Sequence, residues 1–351
     1  MTKKTRDSNI ELLRILAICG VVVLHYNGNV AFSYVAEGSG HFYILYFLEV
    51  LFICAVNLFI LISGYFSCMS TKRRAIKPLE LIVQVMVIGV AKYLVTCIFG
   101  GHSLSVVSLV AAMIPNNYFV FLYITLYLIS PYINLVLDKL SQKQYGIMIC
   151  LCVVLFSVWP TVLDAVLEMT GRHFNGMYTT NTGGSQYGYS LINFALMYLL
   201  GSYLRRFEVG KKCRSAHLIA GLAACIGVLY VWQLCNAQTA RSYANPFVIA
   251  ASVVTFLLFQ RISIRSRIIN TLAKASFTCF LLHDFFLWHI GIDRIVTMHP
   301  LIMLGHVFLA APGIFLVSWV AWRIYSFVSE PVFQWLGKRL TWLDDLISVS
   351  N

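Results

Sequence analysis

Charge is what this chain lacks. Only 11% of its 351 residues are Asp, Glu, Lys or Arg, whereas 59% are hydrophobic. A soluble domain carries about 25% charged residues, so a soluble globular architecture is excluded and the class is an integral membrane protein. There is no CxxC among the ten cysteines. Most of them, including Cys19, Cys54, Cys97 and Cys279, sit inside apolar runs, which argues against disulfides and zinc and for small buried hydrophobes. No A-x-A-like cleavage site follows the basic Lys3, Lys4 and Arg6, so the first apolar stretch is expected to be a retained span and not a signal peptide. No repeat, low-complexity segment or soluble catalytic domain is present either. Any chemistry belongs inside the bundle.

What the chain does have is a series of apolar segments of bilayer-spanning length. They run near 9–28, 42–66, 78–99, 118–137, 146–164, 190–204, 216–235, 244–260, 268–290 and 301–325. The expected fold is therefore an all-α integral membrane protein of about ten transmembrane helices with both termini cytoplasmic. The net charge of +12 does not point to nucleic acid, because its distribution alternates. One set of connections holds Lys3/Lys4/Arg6, Lys72/Arg73/Arg74/Lys77, Lys139/Lys143, Arg205/Arg206/Lys211/Lys212/Arg214 and Arg261/Arg265/Arg267. The other set holds only Arg172, Arg241 and Arg294. The positive-inside rule produces this pattern for an even number of spans. The expected organisation is a basic tail at 1–8, the membrane domain at 9–325, and an amphipathic inner-surface segment at 326–351. The longest outer connection, 165–189, is rich in Gly, Thr, Asn and Tyr; it suits a sugar-facing surface, although a flexible cap is the blander reading.

Ionisable residues inside spans are costly and default to functional hypotheses. Arg14 and His25 are eleven residues apart, about three helical turns, so they share one face and lie about 16 Å apart along the axis. Glu11, one turn before Arg14, is placed to pair with it. By span position, Glu49, His283 and Asp284 fall at the depth of His25. Two imidazoles and one or two carboxylates then converge in the outer half of the membrane, where a carboxylate orienting a histidine makes a tuned general base. Other groups carry less. His283 and His289 fall on different helix faces, so no metal pair is expected there. His306 reads as a satisfied residue between helices, and Ser63 in "ISGY" as part of a close helix crossing.

In their order and spacing these segments resemble the membrane acyltransferase-3 family. The resemblance is carried by "IELLRILAICGVVVLH" with its Arg-x10-His pattern (Arg14, His25), "VNLFILISGYF" (56–66) and "RAIK" (74–77), in which Lys77 replaces a second Arg. It continues through "NNYFVFLYITLYLISPYINLVL", "YSLINFALMYLLGSYLRRF" and "LAKASFTCFLLHDFF", the last containing His283 and Asp284. It implies transfer of an acyl group, usually acetyl, from cytoplasmic acyl-CoA to a hydroxyl of a surface polysaccharide or lipid-linked saccharide in a bacterial inner or plasma membrane. Implied partners are acyl-CoA, that glycan and membrane lipid, with a homo-oligomer left open; no metal is expected.

On this reading Arg14, Arg74 and Lys77 hold the polyanionic donor. Lys72 and Arg73 read as ordinary positive-inside charge. His25 accepts the acceptor's hydroxyl proton or carries the acyl group as a relay, while Glu49, His283 and Asp284 complete the catalytic set. The rival reading is a transporter or flippase that uses the buried His, Arg and Glu; the absence of self-similarity between the two halves weighs against it.

Overall fold

The computed structural model describes residues 7–101, 103–174 and 176–349; Lys3, Lys4 and Arg6 of the basic tail lie outside the described residues. Among those residues there are seventeen α-helices and no β-strand. They are α1 Ser8–His25, α2 Gly40–Phe52, α3 Ala55–Ser67, α4 Ile76–Gly100, α5 Val106–Met113, α6 Tyr118–Asp138, α7 Gln142–Val153, α8 Trp159–Thr170 and α9 Leu191–Arg206. There follow α10 Ser215–Cys235, α11 Ala237–Ala240, α12 Pro246–Gln260, α13 Arg267–Leu272, α14 Ser276–Leu287, α15 Ile292–Ile295, α16 Pro300–Arg339 and α17 Thr341–Ile347. The fold is all-α.

Seven helical stretches are long and apolar enough to cross a bilayer: Ser8–Ser33, Gly40–Ser67, Ile76–Gly100, Val106–Asp138, Gln142–Thr170, Ser215–Cys235 and Pro300–Arg339. The segments expected at 190–204, 244–260 and 268–290 are shorter helices. α9 has 16 residues and α12 has 15. The third is divided into α13 and α14 by a 3₁₀ turn at Ala273–Ala275. Sixteen residues rise only about 24 Å, less than the ~30 Å hydrocarbon core. The last helix runs on past 325 to Arg339, with Pro312 and Pro331 inside it.

Local chemistry explains where the helices begin and how closely they pack. Ser39, Asn117, Ser190 and Asn245 accept backbone N–H bonds at the starts of α2, α6, α9 and α12, satisfying donors that a helix start leaves unpaired. α3 and α9 cross with backbones touching. A Cβ on Gly64 would lie 2.3 Å from the Tyr198 carbonyl oxygen, and one on Gly201 would lie 2.1 Å from that of Leu61. α1 sits at the centre, packed against α2, α3, α12, α13, α14 and α16.

The basic connections gather at one end of the bundle. The Arg205 guanidinium and the Gln260 amide both reach the Tyr65 hydroxyl, at 3.3 and 2.7 Å. Arg206 donates to Asp138 and to the Cys68 carbonyl. Asn9 donates to the Phe259 carbonyl at 2.9 Å, and the Val349 amide to that of Thr71 at 3.1 Å. Both ends of the described chain therefore lie on this basic face.

Candidate active site

α1 is an unbroken α-helix from Ser8 to His25, so Arg14 and His25 keep the three-turn spacing that puts them on one face. Directly after His25 the chain widens into a π-helical turn, Tyr26–Val30, a device that often marks functional positions in helices. The wider turn brings Asn29 back over His25. The Asn29 amide lies 3.2 Å from His25 Nδ1 and donates to Asp284 Oδ1 at 2.7 Å. His25 Nδ1 is itself 3.6 Å from Asp284 Oδ1.

His283, on the same helix as Asp284, meets His25 edge-on with ring centroids 4.6 Å apart. It is 3% exposed, whereas the side chains of His25 and Asp284 are half-exposed. Its Nδ1–H donates to the Phe280 carbonyl at 2.7 Å. That bond fixes the tautomer and leaves Nε2 with a lone pair, buried and without a partner among the described residues. His25 Nδ1 has two alternatives. It accepts from Asn29 in one tautomer, and when protonated it faces the Asp284 carboxylate. The second arrangement leaves Nε2 of His25 as a base and suits the imidazolium that forms when it takes a proton. The donor atoms of His25, His283 and Asp284 lie within 4.8 Å of one another, so the same three residues could also hold a cation.

Below this cluster lies a cavity of about 760 Å³, inside the range of about 300–1,000 Å³ usual for ligand sites. Arg14, Arg74, Lys77 and Lys274 line it together with Tyr127, Trp322 and Phe280. Arg14 donates to both Glu11 oxygens, at 3.2 and 3.3 Å. Lys77 pairs with Glu80 at 2.6 Å, and the Arg74 amide donates to the Tyr127 hydroxyl at 2.9 Å. Two contacts connect cavity and cluster. Val21, one turn before His25, lines the wall, and so does Phe280, whose carbonyl holds His283.

The family model described as an acyltransferase domain matches residues 7–323. The chain belongs to the acyltransferase-3 family. It is thus an acyltransferase with a multi-pass membrane domain, acting on an acyl donor and an acceptor. Comparisons with curated proteins and with solved structures gave no match.

For this acyltransferase the residues read from the sequence fall into two groups. Arg14, Arg74 and Lys77 share the cavity, and His25, His283 and Asp284 share the cluster. Glu49 stands apart. It is buried, its Oε2 is 3.9 Å from Arg241 Nη1, and it is felt by His25 through charge alone, with no hydrogen bond or ion pair to His25 or His283 among the described residues. Arg73 is a buried anchor, with its guanidinium bonded to Ser130 and to four backbone carbonyls. His306 meets the Tyr26 hydroxyl at 2.9 Å. Arg323 lies over the Trp322 ring, while Glu330 lines the cavity.

Sequence reasoning missed Asn29, Arg241 and Lys274. Asn29 carried one usable signal: it is four residues beyond His25, in the polar run "YNGN".

Proposed function

We propose that this chain is an O-acyltransferase that takes an acyl group, acetyl by preference, from cytoplasmic acyl-CoA and passes it to a hydroxyl of a surface glycan or its lipid-linked precursor. The observation that carries this reading is the stacking of a basic cavity directly beneath a histidine–carboxylate cluster, joined through Val21 and Phe280. The phosphates of the donor pair with Arg14, Arg74, Lys77 and Lys274 at the cavity mouth. The thioester extends along the apolar wall toward His25.

There, Nε2 of His25 takes the hydroxyl proton as the acceptor oxygen attacks the thioester carbonyl. The carbon–sulfur bond breaks, and the departing thiolate takes the proton back from His25. An O-ester and free CoA thiol result. Asp284, itself held by the Asn29 amide, orients the imidazole and stabilises its charged form, and the His283 lone pair is placed to bind a proton or hydroxyl beside it. Glu49, paired with Arg241, acts on His25 through its charge only.

The alternating basic connections support ten crossings of a bacterial inner membrane, with the basic face and both termini in the cytoplasm. In that count α9, α12 and the α13–α14 pair complete the set begun by the seven long stretches. The membrane domain then occupies 9–325.

The direct test is mass spectrometry of base-labile acyl groups on surface glycans, comparing cells with and without the gene and cells carrying His25→Gln. Loss of those groups in the deletion and in the Gln variant is expected. Unchanged acylation in both would refute the function. Topology is checked separately by labelling single cysteines at 214 and 183, in a background lacking native cysteines, with a membrane-impermeant reagent. Labelling from outside is expected at 183 and not at 214.

A further inference from the structure

At the end of the bundle opposite the basic connections there is a second cavity, of about 330 Å³, lined by Tyr187, Tyr189, Ala237, Gln238 and Arg241. Nothing in the donor cavity or the histidine cluster uses it. Three observations mark it as a built site.

The first is an orphaned polar atom. Arg241 lines the cavity, and its buried Nη2 has no hydrogen-bond partner among the described residues, although Nη1 of the same guanidinium lies 3.9 Å from Glu49 Oε2. The guanidinium charge is already faced by that carboxylate, so a neutral hydroxyl suits the remaining donor better than an added charge does.

The second is backbone strain. Gln186 and Tyr187 hold left-handed backbone, with φ of 54° and 49°, a conformation unfavourable for non-glycine residues. The surroundings enforce it. The Tyr243 amide donates to the Tyr187 carbonyl at 2.9 Å, and Gly188 packs so closely that a Cβ there would lie 2.5 Å from the Ala244 nitrogen. Ser185 and Tyr178 both bond to Asp164 from the same connection. The tyrosine ring is therefore presented by a pinned segment and not by a loose loop.

The third is a mechanical link to His25. The Arg241 guanidinium lies over the rings of Tyr46 and Phe32, at 4.6 and 5.2 Å. Phe32 follows within seven residues of His25, on the segment whose Asn29 holds Asp284. An occupant that touches Arg241 is thus one side chain removed from the short stretch that carries the proposed base.

We infer that this second cavity is an acceptor subsite that binds one uncharged sugar ring. Tyr187 and Tyr189 provide apolar faces for its C–H surface, Gln238 provides a donor and an acceptor for its hydroxyls, and Arg241 provides a further donor. The inference rests on the glycan-acylation reading above.

The test uses full-length protein in cells lacking the native gene, with Tyr187→Ala, Gln238→Ala and Tyr187→Trp compared with His25→Gln. Base-labile acyl groups on the surface glycan should fall at least about tenfold in Tyr187→Ala, the effect of removing an interaction worth about 1.4 kcal/mol. Gln238→Ala should lower them less, and Tyr187→Trp, which keeps a flat ring, should retain most of them. Acyl-CoA affinity of the purified proteins is measured alongside and should be unchanged in all three. Wild-type acylation by both alanine variants would overturn the subsite while leaving the enzyme reading intact. So would a matching loss of acyl-CoA affinity, which would mark the residues as structural. Undiminished acylation both by His25→Gln and in cells lacking the gene altogether would instead strike the function on which the subsite rests.

Discussion

Two arginines at the same end of the molecule have opposite fates. Arg73 is 5% exposed, and its donors are consumed by Ser130 and by the carbonyls of Ser67, Ser70, Lys72 and Tyr127. Arg14 is about a third exposed. Its guanidinium has one hydrogen-bonding residue among the described residues, Glu11, and it lines the large cavity. Residue type is the same, and both lie toward the basic end of the bundle. What differs is whether the protein has already used the fork. A guanidinium whose five N–H groups are spent holds the fold together; one with donors to spare beside a cavity is available to an anionic substrate.

The sharpest way to break the comparison is at Arg73. Arg73→Met keeps the aliphatic stem but strands a hydroxyl and several carbonyls in a buried site, a loss on the order of 3 kcal/mol or more. A large fall in the detergent melting temperature, or loss of monodisperse protein, is expected. Normal stability with weakened acyl-CoA binding would mean that the two arginines had been assigned the wrong way round.

At Arg14 the expected pattern is the reverse. Charge-assisted bonds contribute about 1.5–3 kcal/mol, so Arg14→Gln should weaken acyl-CoA binding by about ten- to a hundredfold and leave the melting temperature nearly unchanged. Arg14→Lys keeps the charge but not the fork and should fall between. Calorimetric titration with acetyl-CoA checks both.

A smaller effect is expected at Asn29. Removing its bridge between His25 and Asp284 deletes a bond to a carboxylate, a class worth about 1.5–3 kcal/mol, but Asp284 is half-exposed and water replaces much of the lost donor. Asn29→Ala should therefore lower kcat by up to about tenfold, with donor affinity unaltered. A change confined to KM for acyl-CoA would place Asn29 on the donor side.

Much of this was legible along a single helix and little of it between helices. Arg14 and His25 could be assigned to one face because α1 is continuous and its geometry follows from spacing alone. The meeting of His25 with His283 and Asp284 followed from span depth, since depth constrains two helices even when their packing is unknown. Glu49 met the same depth criterion, yet its carboxylate pairs with Arg241 on the connection that follows α11, a contact that only the packing of α2 on α10 brings about. Depth cannot choose between neighbours on different sides of a helix. Arg73 and Arg74, adjacent in the chain, part ways for a similar reason: Ser130 and the Tyr127 carbonyl, on α6, are waiting for the first and not the second. The shortness of α9 and α12 and the break before α14 come from caps and turns inside apolar sequence, where hydropathy reads straight through.

In the proposed mechanism His25 is the base above the donor cavity. The measurement that tests it most directly is acyl transfer by purified His25→Gln, made alongside its acyl-CoA affinity. A positioned base contributes about 10²–10⁴-fold to rate. A loss of turnover on that scale is expected, with donor affinity within about twofold of wild type. Near wild-type turnover in the Gln variant would contradict it, and would leave the buried lone pair of His283 as the base.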